Sequence, residues 1–231
     1  MSLTDAIIAA GPIWADSAIQ SERKGYSEQL SKHLAYEVAD GLRAVGFDGT
    51  MPLRGGPGEK AFQGGLGPKK VDVSYSDDQH GLMLAVSIKS INSPPFGKNL
   101  KNRFGDLLTE SITLHLRFPY SIVCALFAFP TAANADKTKR RKISTFERAR
   151  KLFATVSGRR DYTDPGEKFE DVTLLLFEPY SDEKPTSEFQ LISAETGEIL
   201  SEDQYFQRLR EIYNLRNPHN PVGESDLEDL E

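Results

Sequence analysis

Apolar residues recur at helical spacing in the first third of the chain. They stand at Tyr26, Leu30, Leu34, Val38, Leu42 and Val45. This spacing places all six on one side of a helix. Gly46 follows directly, and glycine is the residue most often found just past a helix end. The pattern therefore predicts an amphipathic helix over 26–45.

Two alternating segments flank a polar turn in the middle of the chain. Residues 70–75 and 82–89 alternate between apolar and polar side chains, and residues 77–81 between them are polar or glycine. Such a pattern is typical of a β-hairpin. On the second arm, the apolar residues at even positions 82–88 are predicted to share one face, with Ser87 and Lys89 on the other.

The hairpin also predicts which residue of the first arm faces this pair. If the turn is centred near Gln79 or His80, Asp72 lies across from Ser87 or Lys89. An acid and a lysine would then meet on one face of a hairpin whose other face is apolar. The pair is either the solvent face of an ordinary antiparallel ladder or part of a site.

The remaining pattern predicts an α/β protein. A continuous apolar run at 120–129, bounded by two prolines, is typical of a strand buried on both faces. Residues 49–70 contain seven glycines and three prolines and are predicted to be a loop. Further helices are predicted at 98–116, 144–156 and 202–215, and further strands at 172–177 and 189–192. We expect a central mixed β-sheet flanked by helices in one domain, residues 1–216, followed by an acidic, disordered tail, 217–231.

Composition narrows the class of protein. The chain has 231 residues, of which 39% are hydrophobic, which suits a globular domain. No run of 18 apolar residues is present, so no membrane span is expected. Cys124 is the single cysteine, which excludes an internal disulfide and a multi-thiolate metal site. A lone cysteine fits a reducing cytoplasm.

The charge is unevenly distributed along the chain. The net charge is −6, but residues 217–231 carry five acids and no lysine or arginine. Residues 136–160 carry ten basic residues and two acids, a local charge of +8. A basic segment of this kind is compatible with a nucleic-acid partner despite the negative total.

The buried run at 120–129 changes the interpretation of Asp72 and Lys89. It indicates that the sheet is covered on both sides at its centre, where unpartnered charges are costly. Charged groups gathered at such a place are candidates for function. A functional pair is therefore favoured over an ordinary solvent face.

In this order of elements the sequence resembles the PD-(D/E)xK nuclease superfamily, which includes many restriction endonucleases. Members have a helix carrying a glutamate, a hairpin with Asp on one arm and (Asp/Glu)-x-Lys on the other, then a helix and a strand. The matching features over about 20–130 are Glu28 on the first helix, Asp72, Ser87-Ile88-Lys89, helix 98–116 and strand 120–129. The resemblance implies a restriction-endonuclease-like core and a Mg²⁺-dependent cleavage of phosphodiester bonds in double-stranded DNA.

The motif departs from the family pattern at two positions. Pro68 is not adjacent to Asp72, so the Pro-Asp pair is absent, and Ser87 stands where the second acid is expected. A restriction-enzyme branch that reads CCGG-containing sites has a similar Ser-x-Lys and takes its missing acid from the following helix. Glu110 is the best match for that acid. Asp106, Glu28 and Glu37 are the alternatives.

The resemblance assigns a role to each candidate residue. Asp72 and Glu110 would hold Mg²⁺, with Glu28 as an outer ligand, because Mg²⁺ prefers carboxylate oxygens. Lys89 would orient the attacking water and offset negative charge on the phosphate, and Ser87 would hold a metal-bound water. Basic residues predicted to contact DNA are Lys98, Lys101, Arg103, Lys139, Arg140, Arg141 and Lys142.

The leading hypothesis is a type II restriction endonuclease acting as a homodimer, since both strands of a symmetric site must be cut. A second is a DNA-binding module on the same scaffold that has lost catalysis. A third is a resolvase or repair nuclease. A fourth is an interaction domain without affinity for DNA.

Overall fold

A six-stranded mixed β-sheet lies at the centre of the molecule. The computed structural model describes residues 2–12, 20–139, 141–185 and 187–223. The strands are β1 (Lys60–Gly64), β2 (Gly67–Val71), β3 (Val73–Asp77), β4 (Gly81–Ser90), β5 (Ile122–Pro130), β6 (Asp171–Phe177), β7 (Phe189–Ser193) and β8 (Ile199–Leu200). The helices are α1 (Leu3–Ala9), α2 (Gln20–Ala44), α3 (Phe96–His115), α4 (Ala132–Ala135), α5 (Thr145–Ala154) and α6 (Glu202–Arg216).

The strand order confirms the predicted fold class. Neighbours in the sheet run β3-β4-β5-β6-β7-β8. The three strands β4, β5 and β6 are parallel, and the pairs on either side of them are antiparallel. The chain is therefore an α/β protein with a mixed sheet flanked by helices.

Helices cover both faces of the sheet. Helices α1, α2 and α6 share a core with Val86 and Cys124, whereas α3 and α5 share one with Ala85 and Val123. All nine residues of β5 are buried. The prediction of a doubly buried strand at 120–129 is confirmed over 122–129, because a central parallel strand is covered on both sides. Tyr120 precedes the strand and is exposed.

Local signals place the helix ends. The apolar stripe predicted over 26–45 lies on α2, and the helix begins six residues before the stripe. Gly46, which follows the stripe, has φ +102°. Ser144 caps α5: its Oγ accepts a hydrogen bond from Glu147 N at 3.0 Å, and Glu147 Oε2 accepts one from Ser144 N at 2.7 Å. This is the reciprocal capping box expected from the Ser-x-x-Glu spacing.

The prediction of a loop over 49–70 is wrong for its second half. β1 and β2 form an antiparallel hairpin in which Gly64 pairs with Gly67. The hairpin packs on α3 through buried Phe62 and Val71. A side chain at Gly64 would overlap Thr113 of α3, so this glycine permits close packing. Glycine content alone therefore misidentified a strand as a loop.

The predicted hairpin over 70–89 is confirmed as β3 and β4, with two corrections. Lys70 and Val71 of its first arm belong to β2 and pair with β1. Tyr75 pairs with Leu84 and Ser76 with Leu82, so Met83 is an extra residue in β4. Such a bulge reverses the alternation of faces. Leu82 consequently packs on the α3 side, whereas Leu84 and the later even positions pack on the α2 side.

Packing against the core continues past the last helix. Val222 is buried, and its backbone N donates to Asn214 Oδ1 at 2.9 Å. Residues 224–231, which hold all five acids of the predicted disordered tail, lie outside the described residues. Among the described helices, none combines the length and apolar character needed to cross a membrane.

Candidate active site

Asp72 lies at the junction of β2 and β3. Val71 and Val73 on either side are fully buried, Val71 in the core on the α3 side and Val73 in the core on the α2 side, and the chain bends between them at Asp72. Its Oδ2 accepts a hydrogen bond from Ile88 N at 2.6 Å and lies 3.0 Å from Lys89 Nζ. The register, in which Val73 pairs with Val86, brings Asp72 beside Ser87 as the hairpin predicted.

Glu110 reaches the same place from α3. Helix α3 packs on the sheet face toward which Ser87 points, and Ser87 Oγ donates to Glu110 Oε1 at 2.7 Å. Glu110 Oε2 lies 3.4 Å from Lys89 Nζ. The Glu110 side chain is only 1% exposed. Four predicted site residues from a strand junction, a strand and a helix thus form one cluster.

Lys69 is a fifth member that the sequence did not predict. It lies on β2, and its Nζ is 3.0 Å from Glu110 Oε2. Lys69 belongs to the β1–β2 hairpin, which lies in a segment that was predicted to be a loop. Burial alternates along Lys60–Gly64 in the structure, but the apolar and polar residues of this segment show no matching alternation in the sequence that could have predicted the strand pair.

The cluster balances its own charge. Two carboxylates, Asp72 and Glu110, face two ammonium groups, Lys69 and Lys89. Burial by itself lowers the pKa of Lys89, but the adjacent carboxylates of Asp72 and Glu110 outweigh burial and raise it above its usual value. Lys89 is therefore held as a cation at neutral pH.

The chemical type of the oxygen ligands in this cluster fits Mg²⁺. Asp72 and Glu110 offer hard carboxylate oxygens, and Mg²⁺ typically takes one or two carboxylates together with waters and substrate phosphate. Glu110 Oε2 is buried, and no described donor reaches it with hydrogen-bond geometry. In the described part of the chain, no three His, Cys, Asp or Glu side chains group around one ion position. The two carboxylates are thus the groups that would hold the ion.

The other predicted acids lie outside this cluster. The Glu28 side chain is 65% exposed on α2 and pairs with Lys24 at 3.5 Å. Glu37 pairs with Arg54, and Asp106 pairs with Arg103 at 3.3 Å on the surface of α3. Of the four candidate second acids, only Glu110 shares a cation with Asp72.

A polar cleft of about 370 Å³ begins next to this cluster, one residue past Lys89. Its lining is rich in amides and hydroxyls: Ser27, Ser90, Asn92, Asn99 and Asn102, with Arg103 and Asp106. Asn92 Nδ2 donates to Ser27 Oγ at 3.0 Å and to Ser90 Oγ at 2.8 Å. The start of α2 is thereby tied to the end of β4.

The predicted DNA-contacting residues lie on two segments. Lys98, Lys101 and Arg103 are exposed on the first turns of α3, and Lys139 and Lys142 are exposed between α4 and α5. Arg141 is half-buried and pairs with Asp136 at 2.6 Å. Arg140 lies outside the described residues.

Comparisons with protein-family models, curated proteins and solved structures give no significant match for this chain. The functional argument therefore depends on the site and its chemistry.

Proposed function

We propose that this protein is a Mg²⁺-dependent DNA endonuclease with a restriction-endonuclease-like core. One observation carries the proposal. Asp72 Oδ2 and Glu110 Oε2 lie 3.0 and 3.4 Å from the same Lys89 nitrogen, although the three residues come from separate elements. Two carboxylates can hold a divalent ion that assists phosphodiester hydrolysis, and an adjacent ammonium group can neutralise charge on the phosphate.

Four residues of the cluster have a role in this chemistry. Asp72 and Glu110 would hold the ion, and Ser87 fixes the Glu110 carboxylate through its 2.7 Å hydrogen bond. Bound Mg²⁺ would supply an acidified water and stabilise charge on the phosphate. The Lys89 ammonium, which pairs with both carboxylates, would turn to orient the attacking water and to neutralise a phosphate oxygen.

The expected substrate is double-stranded DNA, and a type II restriction endonuclease is the most specific form of the proposal. A symmetric recognition site has two equivalent scissile bonds, so two copies of one active site, a homodimer, would cut both strands. Such an enzyme would act in the cytoplasm, where a reduced Cys124 is expected.

Plasmid cleavage tests the proposal directly. Purified protein with Mg²⁺ should linearise or fragment a supercoiled plasmid, and EDTA should stop the reaction. Asp72→Asn, Lys89→Met and Glu110→Gln each keep the side-chain volume and should each lower the cleavage rate at least 100-fold. Asp78→Asn, in the exposed turn of the same hairpin, is the matched control and should cut normally. Normal cleavage by Lys89→Met would refute the site assignment.

The charge balance of the cluster favours one competing function. With two lysines against two carboxylates, the site is neutral without a metal. A DNA-binding module that has lost catalysis would have this property. It predicts salt-sensitive binding of duplex DNA that is unchanged by Mg²⁺, with no cleavage under any condition. A titration of labelled duplex with and without Mg²⁺, run beside the plasmid assay, separates the two functions.

A further inference from the structure

A basic pocket lies between the start of α3 and the start of α5. It has a volume of about 380 Å³. Three cationic side chains line it: Lys98 from α3, Arg148 from α5, and Arg141 from the segment before α5. Asp136 is the single acid in its lining. The pocket is separate from the polar cleft and from the Asp72–Glu110 cluster.

The two guanidinium groups are held in fixed positions. Arg148 Nη2 donates to Gly97 O at 3.0 Å, and Arg141 Nη1 donates to Thr145 Oγ1 at 3.0 Å. Both groups converge over Gly97. A Cβ added there would lie 3.0 Å from Arg141 Nη1 and 3.2 Å from Arg148 Nη2. A side chain at this position would crowd both groups, so glycine allows the two like charges to approach the same stretch of backbone.

The local acid offsets only part of the positive charge of this pocket. Asp136 accepts hydrogen bonds from Thr145 N at 2.7 Å and Thr145 Oγ1 at 2.6 Å, and it pairs with Arg141. Its carboxylate is thus engaged in holding the segment before α5. Three cations against one acid leave an excess of two positive charges, and the first turn of α3 contains no acid.

Like charges held this close favour a multivalent anion between them. A phosphate group suits the site, because its several oxygens accept charge-assisted hydrogen bonds from two guanidinium groups and an ammonium at once. Arg141 Nε is also buried without a described hydrogen-bond partner. One donor of a guanidinium group that lines the pocket is therefore not used by the described protein groups.

We propose that this pocket binds a phosphate group of the DNA backbone. The inference rests on the proposed function, because that function makes DNA the source of the phosphate. Gly97 and Glu110 lie on the same helix, thirteen residues apart, so the pocket is about 20 Å from the catalytic cluster along α3. At about 3.4 Å of duplex axis per nucleotide, this distance corresponds to roughly six nucleotides from the scissile bond.

Binding of a labelled DNA duplex across a salt series tests the pocket, with Ca²⁺ in place of Mg²⁺ so that the DNA stays intact. Lys98→Ala and Arg148→Ala should each weaken binding about tenfold and lower the salt slope by about 0.9. Gly97→Ala keeps every charge but crowds both guanidinium groups and would displace them, so it should also weaken binding. Lys32→Ala removes an exposed cation from α2, on the opposite sheet face, and should change neither quantity.

The outcomes separate this inference from the proposed function. Unchanged salt slopes in an enzyme that cuts DNA would overturn the pocket and leave the nuclease intact. Reduced slopes in a protein that never cuts would support the pocket and overturn the nuclease. A site for free phosphate would give a different result. Inorganic phosphate would raise the melting temperature of the wild type but not of Arg148→Ala, while both proteins bound DNA with equal affinity. That result would overturn the DNA assignment.

Discussion

Lys89 and Lys69 neutralise the same buried carboxylate from different depths, so their removal should have unequal effects on stability. Lys89 Nζ lies 3.4 Å from Glu110 Oε2 and 3.0 Å from Asp72 Oδ2, and its side chain is 18% exposed. Lys69 Nζ contacts only Glu110 Oε2, at 3.0 Å, and its side chain is 35% exposed. Substitution of each lysine by methionine removes the charge and keeps most of the volume.

The magnitudes follow from burial. Lys89→Met leaves the 1% exposed Glu110 carboxylate with one peripheral cation, and removal of one partner from a buried ion pair costs about 3 kcal/mol. Lys69→Met removes a partly exposed, solvent-screened contact that is worth about 0.5–1 kcal/mol. The cost for Lys89 should therefore be at least twice the cost for Lys69.

Urea unfolding of both variants at pH 7 measures these costs. The same measurements in the Glu110→Gln background isolate the role of the Glu110 carboxylate. In that background the cost of Lys89→Met should drop by more than half. The Lys69 effect should vanish in 1 M NaCl, whereas most of the Lys89 effect should persist. Equal costs for the two lysines, or no change in the Glu110→Gln background, would refute this reasoning.

Three further predictions concern the scaffold. Burial raises the pKa of Glu170, but hydrogen bonds and charges from His115 and Arg159 lower it below its usual value. The wild type should therefore be more stable than Glu170→Gln at pH 7 and should lose that advantage as the pH falls below about 4.5. Acid titration of folding would measure this loss. Gly41→Ala should destabilise by about 2 kcal/mol in urea because a Cβ there overlaps the buried Phe206 ring, and an unchanged midpoint would contradict this packing. Ser144→Ala should cost about 1 kcal/mol by thermal melting, whereas Ser144→Gly should cost only a few tenths.

Sequence analysis was most successful where the interactions are local. The pairing of Asp72 with Lys89 follows from the register of one hairpin, and a hairpin register is set within about twenty residues. The helix cap at Ser144 follows from a spacing of three residues. In each case the chain segment that carries the pattern also contains the partner.

The same reasoning failed where packing reversed a local preference. The glycines near β1 predicted a loop, yet Gly64 allows the hairpin to approach Thr113 closely. The strict alternation predicted for β4 placed Leu82 on the wrong face, because the bulge at Met83 shifts the pattern by one residue. Neither feature has a signature in the single segment that contains it.

The sequence by itself determined the order of the main elements from α2 and the β3–β4 hairpin to α6, without the β1–β2 hairpin. It also determined the buried central strand and the nomination of Asp72, Ser87, Lys89 and Glu110. Only the tertiary structure decided which second acid approaches Asp72, and that Lys69 shares its cluster. It also decided that Arg141 and Arg148 meet over Gly97. Periodicity reports which face of an element is buried, whereas these contacts depend on how α3 packs against the sheet, the β1–β2 hairpin and α5, elements that are distant in the chain.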